Sequence, residues 1–259
     1  MIESAFRDKG LEWRYLTIEV APNELADAVS GIRAMGFRGI NLTIPHKVEV
    51  IQHLDRLTEE AALMGAVNCV IRKGEELIGE NTDGKGFVQS LREVTDPVGK
   101  RIVMFGAGGA ARAIGVEVGL AGAAEITVVN RTAERGQALV DLLNQKVNVK
   151  ANFVRWESDF DIPKTADVVI HATSIGLYPD VDARIALNSA TLRPDMVVAD
   201  VIPNPPTTRL VREAREIGCT VLDGLGMLVN QGVIGFKLWT GVDPDPNVMR
   251  NSLEEVFGS

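Results

Sequence analysis

The chain has 259 residues, of which 46% are hydrophobic and 24% charged, with a formal net charge of −8. That length suits two modest cores with a cleft between them better than one large core, and the composition is that of a folding globule, which excludes disordered and fibrous classes. The acidic balance excludes a general polyanion-binding surface, because nucleic-acid affinity rests on clustered Lys and Arg, so no nucleic-acid partner is expected and any anionic ligand needs a local site.

In chain order, Trp13 to Val20 reads as a strand, Pro22 to Met35 as a helix, Gly39 to Thr43 as a strand and Val48 to Leu57 as helical. A β-pair follows, Ala66 to Arg72 and Glu76 to Glu80, joined at Lys73-Gly74-Glu75. Turn residues cluster at Thr95 to Gly99, where a new unit begins. Arg101 to Phe105 reads as a strand, Gly109 to Leu120 as a helix, Glu125 to Val129 as a strand and Ala133 to Leu143 as a helix. Ala166 to Ala172 and Met196 to Val201 read as buried strands, a last strand lies around Thr220, and Gly224 to Trp239 and Pro246 to Phe257 are helical in pattern. Short β-rich runs alternating with amphipathic stretches predict an α/β class with parallel sheets and crossover helices.

Cys69 and Cys219 form no Cys-x-x-Cys pattern and are expected to be buried free thiols. His46, His53 and His171 share no ligand-like spacing, so no metal is expected. No basic stretch followed by an apolar one opens the sequence, and no apolar run approaches the roughly 18 residues of a membrane span, which predicts a cytoplasmic protein without a membrane partner.

Gly106-Ala107-Gly108-Gly109-Ala110-Ala111 follows a predicted strand and opens a predicted helix, the context in which a Gly-x-Gly-x-x-Ala pattern cradles a pyrophosphate at a helix N-terminus. A close-packed strand-to-helix turn is the structural alternative. After the next strand, where an acid usually binds the ribose hydroxyls of NAD, stand Asn130, Arg131, Thr132 and, one turn on, Arg135. A carboxylate there would repel a 2′-phosphate, whereas these groups hydrogen-bond it, so the expected cofactor is NADP. Asn130 or Thr132 can cap the following helix at the same time.

Asn41-Leu42-Thr43-Ile44-Pro45-His46-Lys47 puts a lysine just past a strand end, at a Pro-led helix start, as a candidate general acid or base; the alternative is a solvated surface lysine. Asn68 and the stretch Glu80-Asn81-Thr82-Asp83-Gly84 lie at the ends of the paired strands, with Asp83 either a helix N-cap or the partner of Lys47 in proton transfer.

These stretches, with Gly65-Ala66-Val67-Asn68 and Gly226-Met227-Leu228-Val229-Asn230-Gln231, come in an order and spacing that resembles the shikimate dehydrogenase family over nearly the whole chain. The resemblance implies a substrate domain (1–83 plus 224–259) around a Rossmann-like, doubly wound dinucleotide-binding domain (84–223). It implies NADPH-dependent reduction of 3-dehydroshikimate to shikimate, in chorismate and aromatic amino acid biosynthesis, by a monomer or homodimer. Lys47 and Asp83 are then the catalytic pair and Asn41, Thr43, Asn68 and Gln231 bind the substrate, while Thr173, Ser174 and Val201 lie on the nicotinamide side and Gly224 at the domain junction. The resemblance also places a strand and a serine-bearing turn ahead of the segment matching Ile2 to Phe6, and a tyrosine where Pro203 stands. A paralogue acting on quinate or a related ring hydroxy acid, and a non-catalytic nucleotide-binding relative, are the alternatives.

Overall fold

A computed structural model describes residues 1–257. Two sheets organise the chain. The first has strands β1 (Gly39–Asn41), β2 (Arg56–Leu57), β3 (Cys69–Lys73) and β4 (Glu76–Glu80) in the order β1-β3-β4-β2. The second has β5 (Arg101–Phe105), β6 (Glu125–Asn130), β7 (Lys150–Arg155), β8 (Val168–His171), β9 (Val197–Asp200) and β10 (Thr220–Leu222) in the order β10-β9-β8-β5-β6-β7. Every neighbour in the second sheet is parallel. Counted from β5, that is the doubly wound order 3-2-1-4-5-6, whose switch point lies between β5 and β8.

The helices are α1 (Ile2–Asp8), α2 (Leu25–Ala34), α3 (His46–Glu49), α4 (Glu59–Met64), α5 (Thr82–Arg92), α6 (Gly109–Leu120), α7 (Ala133–Leu142), α8 (Arg209–Ile217), α9 (Gly224–Thr240) and α10 (Pro246–Phe257). One core packs α5, α6 and α7 on one face of the second sheet through residues such as Leu91, Ile114 and Leu139. Phe105, Trp156, Leu210 and Ala214 fill the opposite face, beneath α8. Leu25, Val29, Val67, Val70 and Leu77 form the core of the first sheet, and α1, α9 and α10 meet around Phe6, Phe236 and Met249.

Four expectations need correction. The first sheet is mostly antiparallel, because the tight β3–β4 hairpin fixes that direction and β1 also runs antiparallel to β3; only the β2–β4 pair is parallel. Trp13 to Val20 is extended but joins no ladder. A groove of about 390 Å³, lined by Leu16, Ile18, Val20, Ile40 and Leu42 among others, separates it from β1, so its alternating pattern meets no strand to pair with. The stretch Val48 to Leu57 is not one helix: α3 runs into a 3₁₀ turn at Val50–His53 and then into β2. Finally, β7, α1, α4 and α8 are elements that the sequence reading did not place.

Candidate active site

Lys47 lies in α3, whose backbone is tied to the first sheet by the Val67 N–H donating to the Lys47 carbonyl at 2.7 Å. Asp83 lies in the first turn of α5. The Lys47 ammonium donates to Asp83 Oδ2 at 2.8 Å, with side-chain exposures of 30% and 18%. The two groups thus meet in a half-buried setting, where a charged pair keeps more of its Coulomb energy than at an open surface.

Asp83 does not cap its own helix. Asn81 does, accepting the Asp83 N–H at 3.1 Å, which leaves the Asp83 carboxylate free to face Lys47. Buried Asn68 fixes the other carboxylate oxygen: its Nδ2 donates to Asp83 Oδ1 at 2.8 Å and to Thr82 Oγ1 at 3.0 Å, while its Oδ1 accepts the Thr82 N–H at 2.7 Å. The Thr82 hydroxyl lies 3.4 Å from Gln231 Oε1 on α9. Asn41 at the end of β1 donates to the Asn68 carbonyl at 3.1 Å and accepts the Tyr15 hydroxyl at 2.9 Å.

Asn68 therefore touches the pair directly, while Asn41 and Gln231 reach it only through Asn68 and Thr82. Thr43, two residues past β1, is exposed, and only its carbonyl is engaged, accepting the His46 N–H at 2.9 Å. Thr82 and Tyr15 are participants that sequence reasoning missed. Thr82 sits inside the Asn81-Thr82-Asp83-Gly84 stretch that flagged Asp83, whereas Tyr15 carried no signal beyond its place in an apparent strand.

The second lobe supplies the nucleotide features. At the end of β5 Gly106 has φ of 113°, a region that disfavours other residues, and a Cβ there would run into the Ala172 carbonyl. A Cβ on Gly108 or Gly109 would meet no protein atom, so open space lies over the start of α6, and no side chain caps that helix. Ala107 and Ala110 complete the turn. The orphan N–H groups at the α6 start fit a pyrophosphate.

At the end of β6 Asn130 donates to the Thr132 carbonyl at 2.8 Å. Thr132 holds the N-cap position of α7 without a side-chain cap bond, so this helix start too keeps free donors. Exposed Arg131 and Arg135 have no carboxylate partner among the described residues, which fits a 2′-phosphate. Thr173 and Ser174 follow β8, Val201 follows β9, and Gly224 opens α9 against the Ile202 carbonyl.

The lobes meet close to the pair. A Cβ on Gly84 would strike the Ala113 carbonyl, about 6 Å along α6 from Gly109. The start of α5 is thus packed on α6 one helical turn in from the candidate phosphate-binding turn. Among the described residues no cluster of His, Cys, Asp and Glu is placed to hold a metal, and no helix is long and apolar enough to cross a membrane.

The chain matches three family models: the shikimate dehydrogenase substrate binding domain over residues 1–70, shikimate / quinate 5-dehydrogenase over 89–206, and the shikimate 5'-dehydrogenase C-terminal domain over 224–254. The shikimate dehydrogenase (NADP(+)) of Methanocaldococcus jannaschii is 42% identical over 98% of this chain and 90% of its own length. Among solved structures, shikimate 5-dehydrogenase from Thermus thermophilus in complex with NADP(H) and shikimate superposes with a TM-score of 0.85 at 33% identity, covering 98% of this chain and 92% of that one. The ligand-free 5-ketofructose reductase of a Gluconobacter strain superposes with a TM-score of 0.96 at 50% identity, covering 99% and 92%. Fold, site geometry and these likenesses together assign the chain to the shikimate dehydrogenase family of NADP-linked oxidoreductases.

Proposed function

We propose that this protein catalyses the reversible, NADPH-dependent reduction of 3-dehydroshikimate to shikimate, with Lys47 and Asp83 managing the proton. The observation that carries the reading is the 2.8 Å Lys47–Asp83 contact, held by Asn68, at the start of the helix that packs on α6 about one turn past the candidate phosphate-binding loop. NADPH held by the α6 start and by Asn130, Arg131, Thr132 and Arg135 would supply a hydride to the carbonyl carbon. The Lys47 ammonium gives a proton to the carbonyl oxygen as negative charge develops there, and Asp83 holds that ammonium in place. In the reverse direction the same nitrogen takes the hydroxyl proton.

Asn41, Thr43 and Gln231 offer neutral donors and acceptors to ring hydroxyls, a match for a polyhydroxylated substrate because each unmatched buried polar group costs about 1–3 kcal/mol, while Asn68, whose amide is already committed to Asp83 and Thr82, serves the pair itself. The first sheet with α9 and α10 forms the substrate lobe. The second sheet is the nucleotide lobe, where Arg131, Arg135 and the α7 start select NADP over NAD. Cys69 and Cys219 are both buried and free, which supports a cytoplasmic, reducing setting.

A second reading is reduction of a polyhydroxylated ketone that carries no carboxylate. It is favoured by Pro203, which has no donor where the family resemblance places a tyrosine, and by the 50% identity to a 5-ketofructose reductase.

Steady-state rates on 3-dehydroshikimate and 5-ketofructose, each with NADPH and with NADH, separate the two. A higher kcat/KM on the ring acid supports the first reading, and a higher value on the ketose replaces it with the second. Either way, Lys47→Ala is expected to lower kcat by about 10²–10⁴-fold with NADPH affinity retained; unchanged turnover would remove Lys47 from the chemistry.

A further inference from the structure

The ends of β8 and β9 hold a buried polar chain that the Lys47–Asp83 chemistry does not use. His171 and Asp200 are register partners, and both side chains are 1% exposed. Asp200 Oδ1 accepts the Ile202 N–H at 3.0 Å and lies 3.1 Å from His171 Nδ1, while Oδ2 accepts the Thr208 hydroxyl at 2.6 Å. His171 Nε2 lies 2.6 Å from Thr173 Oγ1, which also accepts the Ile175 N–H at 3.2 Å.

The chemistry of these groups fixes the direction of each bond. A carboxylate only accepts, so Nδ1 donates to Asp200; with the imidazole neutral, Nε2 accepts from the Thr173 hydroxyl, whose lone pairs remain for Ile175. One continuous chain therefore runs from the start of α8, through Thr208, Asp200 and His171, into the loop at Thr173. No polar atom along it is left unmet, and removing one member strands its neighbour in a low-dielectric setting.

The chain ties together two loops that flank one crevice. The loop after β8 lies against the phosphate-binding turn, since the Ala172 carbonyl blocks a Cβ on Gly106. The loop after β9 lies against the start of α9, since the Ile202 carbonyl blocks a Cβ on Gly224. β8 itself borders the switch point of the sheet, outside whose strand ends ligands bind in this architecture. A polar pair that served only to seal strand ends would stop inside the core. This one ends on a half-buried hydroxyl and a backbone N–H in the loop that borders the crevice.

We propose that His171 and Asp200 are positioning residues that set the nicotinamide end of the cofactor through Thr173 and Ile202, an inference that rests on the nucleotide-lobe reading given above. They act on where the nicotinamide ring sits and not on how the adenosine end is held, which belongs to Arg131, Arg135 and α7.

The test compares NADPH with adenosine 2′,5′-bisphosphate, which carries the 2′-phosphate and lacks the nicotinamide, by fluorescence or calorimetric titration of the full-length protein. His171→Phe removes the central link. Thr208→Val removes a hydroxyl at the far end of the chain, away from the crevice, and serves where the first variant fails to fold. Each is expected to weaken NADPH by about tenfold, the scale of one or two misplaced hydrogen bonds, with the bisphosphate affinity held within about twofold. kcat is expected to fall with the KM of the ring ketone unchanged. Equal weakening of both ligands, or of neither, overturns the inference. Parent protein that fails to bind NADPH sinks the functional reading as well, whereas a parent that binds with variants that do not discriminate sinks this inference alone.

Discussion

Asn68 does more at the reaction centre than its single amide suggests. It orients the Asp83 carboxylate, receives the Thr82 N–H and sits buried beneath both. Asn68→Ala is expected to lower kcat at least tenfold, because Asp83 keeps only Lys47 to orient it, and to cost about 1–3 kcal/mol for the stranded Thr82 N–H. Initial rates and urea denaturation of the same preparation check both; normal kcat with lost stability would confine Asn68 to a structural role. At this scale the sequence was legible where chemistry and position coincide. Lys47, Asp83 and Asn68 were legible through their joint spacing and the family resemblance, since a surface lysine or an aspartate at a helix start has an ordinary structural explanation when taken alone. The division of labour between Asn81 and Asp83 was not legible, since either residue type caps a helix and only the backbone turn decides which one does. Tyr15 was hidden for another reason: its hydroxyl reaches Asn41 from a segment 26 positions away, and no local pattern encodes that.

Contacts between elements run close along α5 and α9, and glycines make this possible. A Cβ on Gly86 would lie 2.6 Å from the Gln231 backbone N and 2.9 Å from the Met227 carbonyl. In a free helix Gly→Ala stabilises by about 1 kcal/mol. Here Gly86→Ala is expected to reverse that sign and destabilise by about 1–3 kcal/mol, because two backbones have to separate. The shift of the urea midpoint measures it, and an increase would show that α9 yields. The nucleotide half was the more readable part, because its apolar, β-branched strands are bounded by glycines and turn residues and each pairs with another strand. Trp13 to Val20 has the same strand-like composition, but a ladder needs a neighbour, and a groove lies where that neighbour would be. β7, with the sequence Lys-Ala-Asn-Phe-Val-Arg, escaped because it is an edge strand with polar residues at both ends.

For the whole molecule, the seam between the lobes carries a buried charge problem. Glu117 on α6 is held against Gly84 of α5, and its Oε1 is buried without a hydrogen-bond partner. Burial is the main reason its carboxyl is pushed up from 4.5 to about 7, with Lys85 opposing and Glu60 and Glu80 adding to the rise. A carboxyl raised on folding contributes stability below its unfolded value, and that contribution is lost as pH climbs through the folded one. Glu117→Gln is therefore expected to melt like the parent near pH 4.5 and increasingly above it as pH rises through 7, read as a widening gap in Tm across that window. A constant gap would mean that the carboxylate is solvated after all. The two sheets were foreseeable from the order of the predicted elements, yet this seam was not, because it brings Glu60, Glu80, Lys85 and Glu117 together from three helices and a strand.

Helix α9 touches three separate parts of the protein. It starts on the Ile202 carbonyl, passes Gln231 beside Thr82, and ends with the Trp239 indole donating to the Val70 carbonyl at 3.0 Å. Each added residue turns a helix by about 100°. A single codon inserted between Gly224 and Gln231 would thus swing the glutamine and the tryptophan away from their seats together, while the same insertion after Thr240 would disturb neither. The length of that one rod therefore sets the phase of Gln231 against Thr82 and of Trp239 against Val70 at once, so a change of length within it moves both seats while a change in the loop beyond it moves neither.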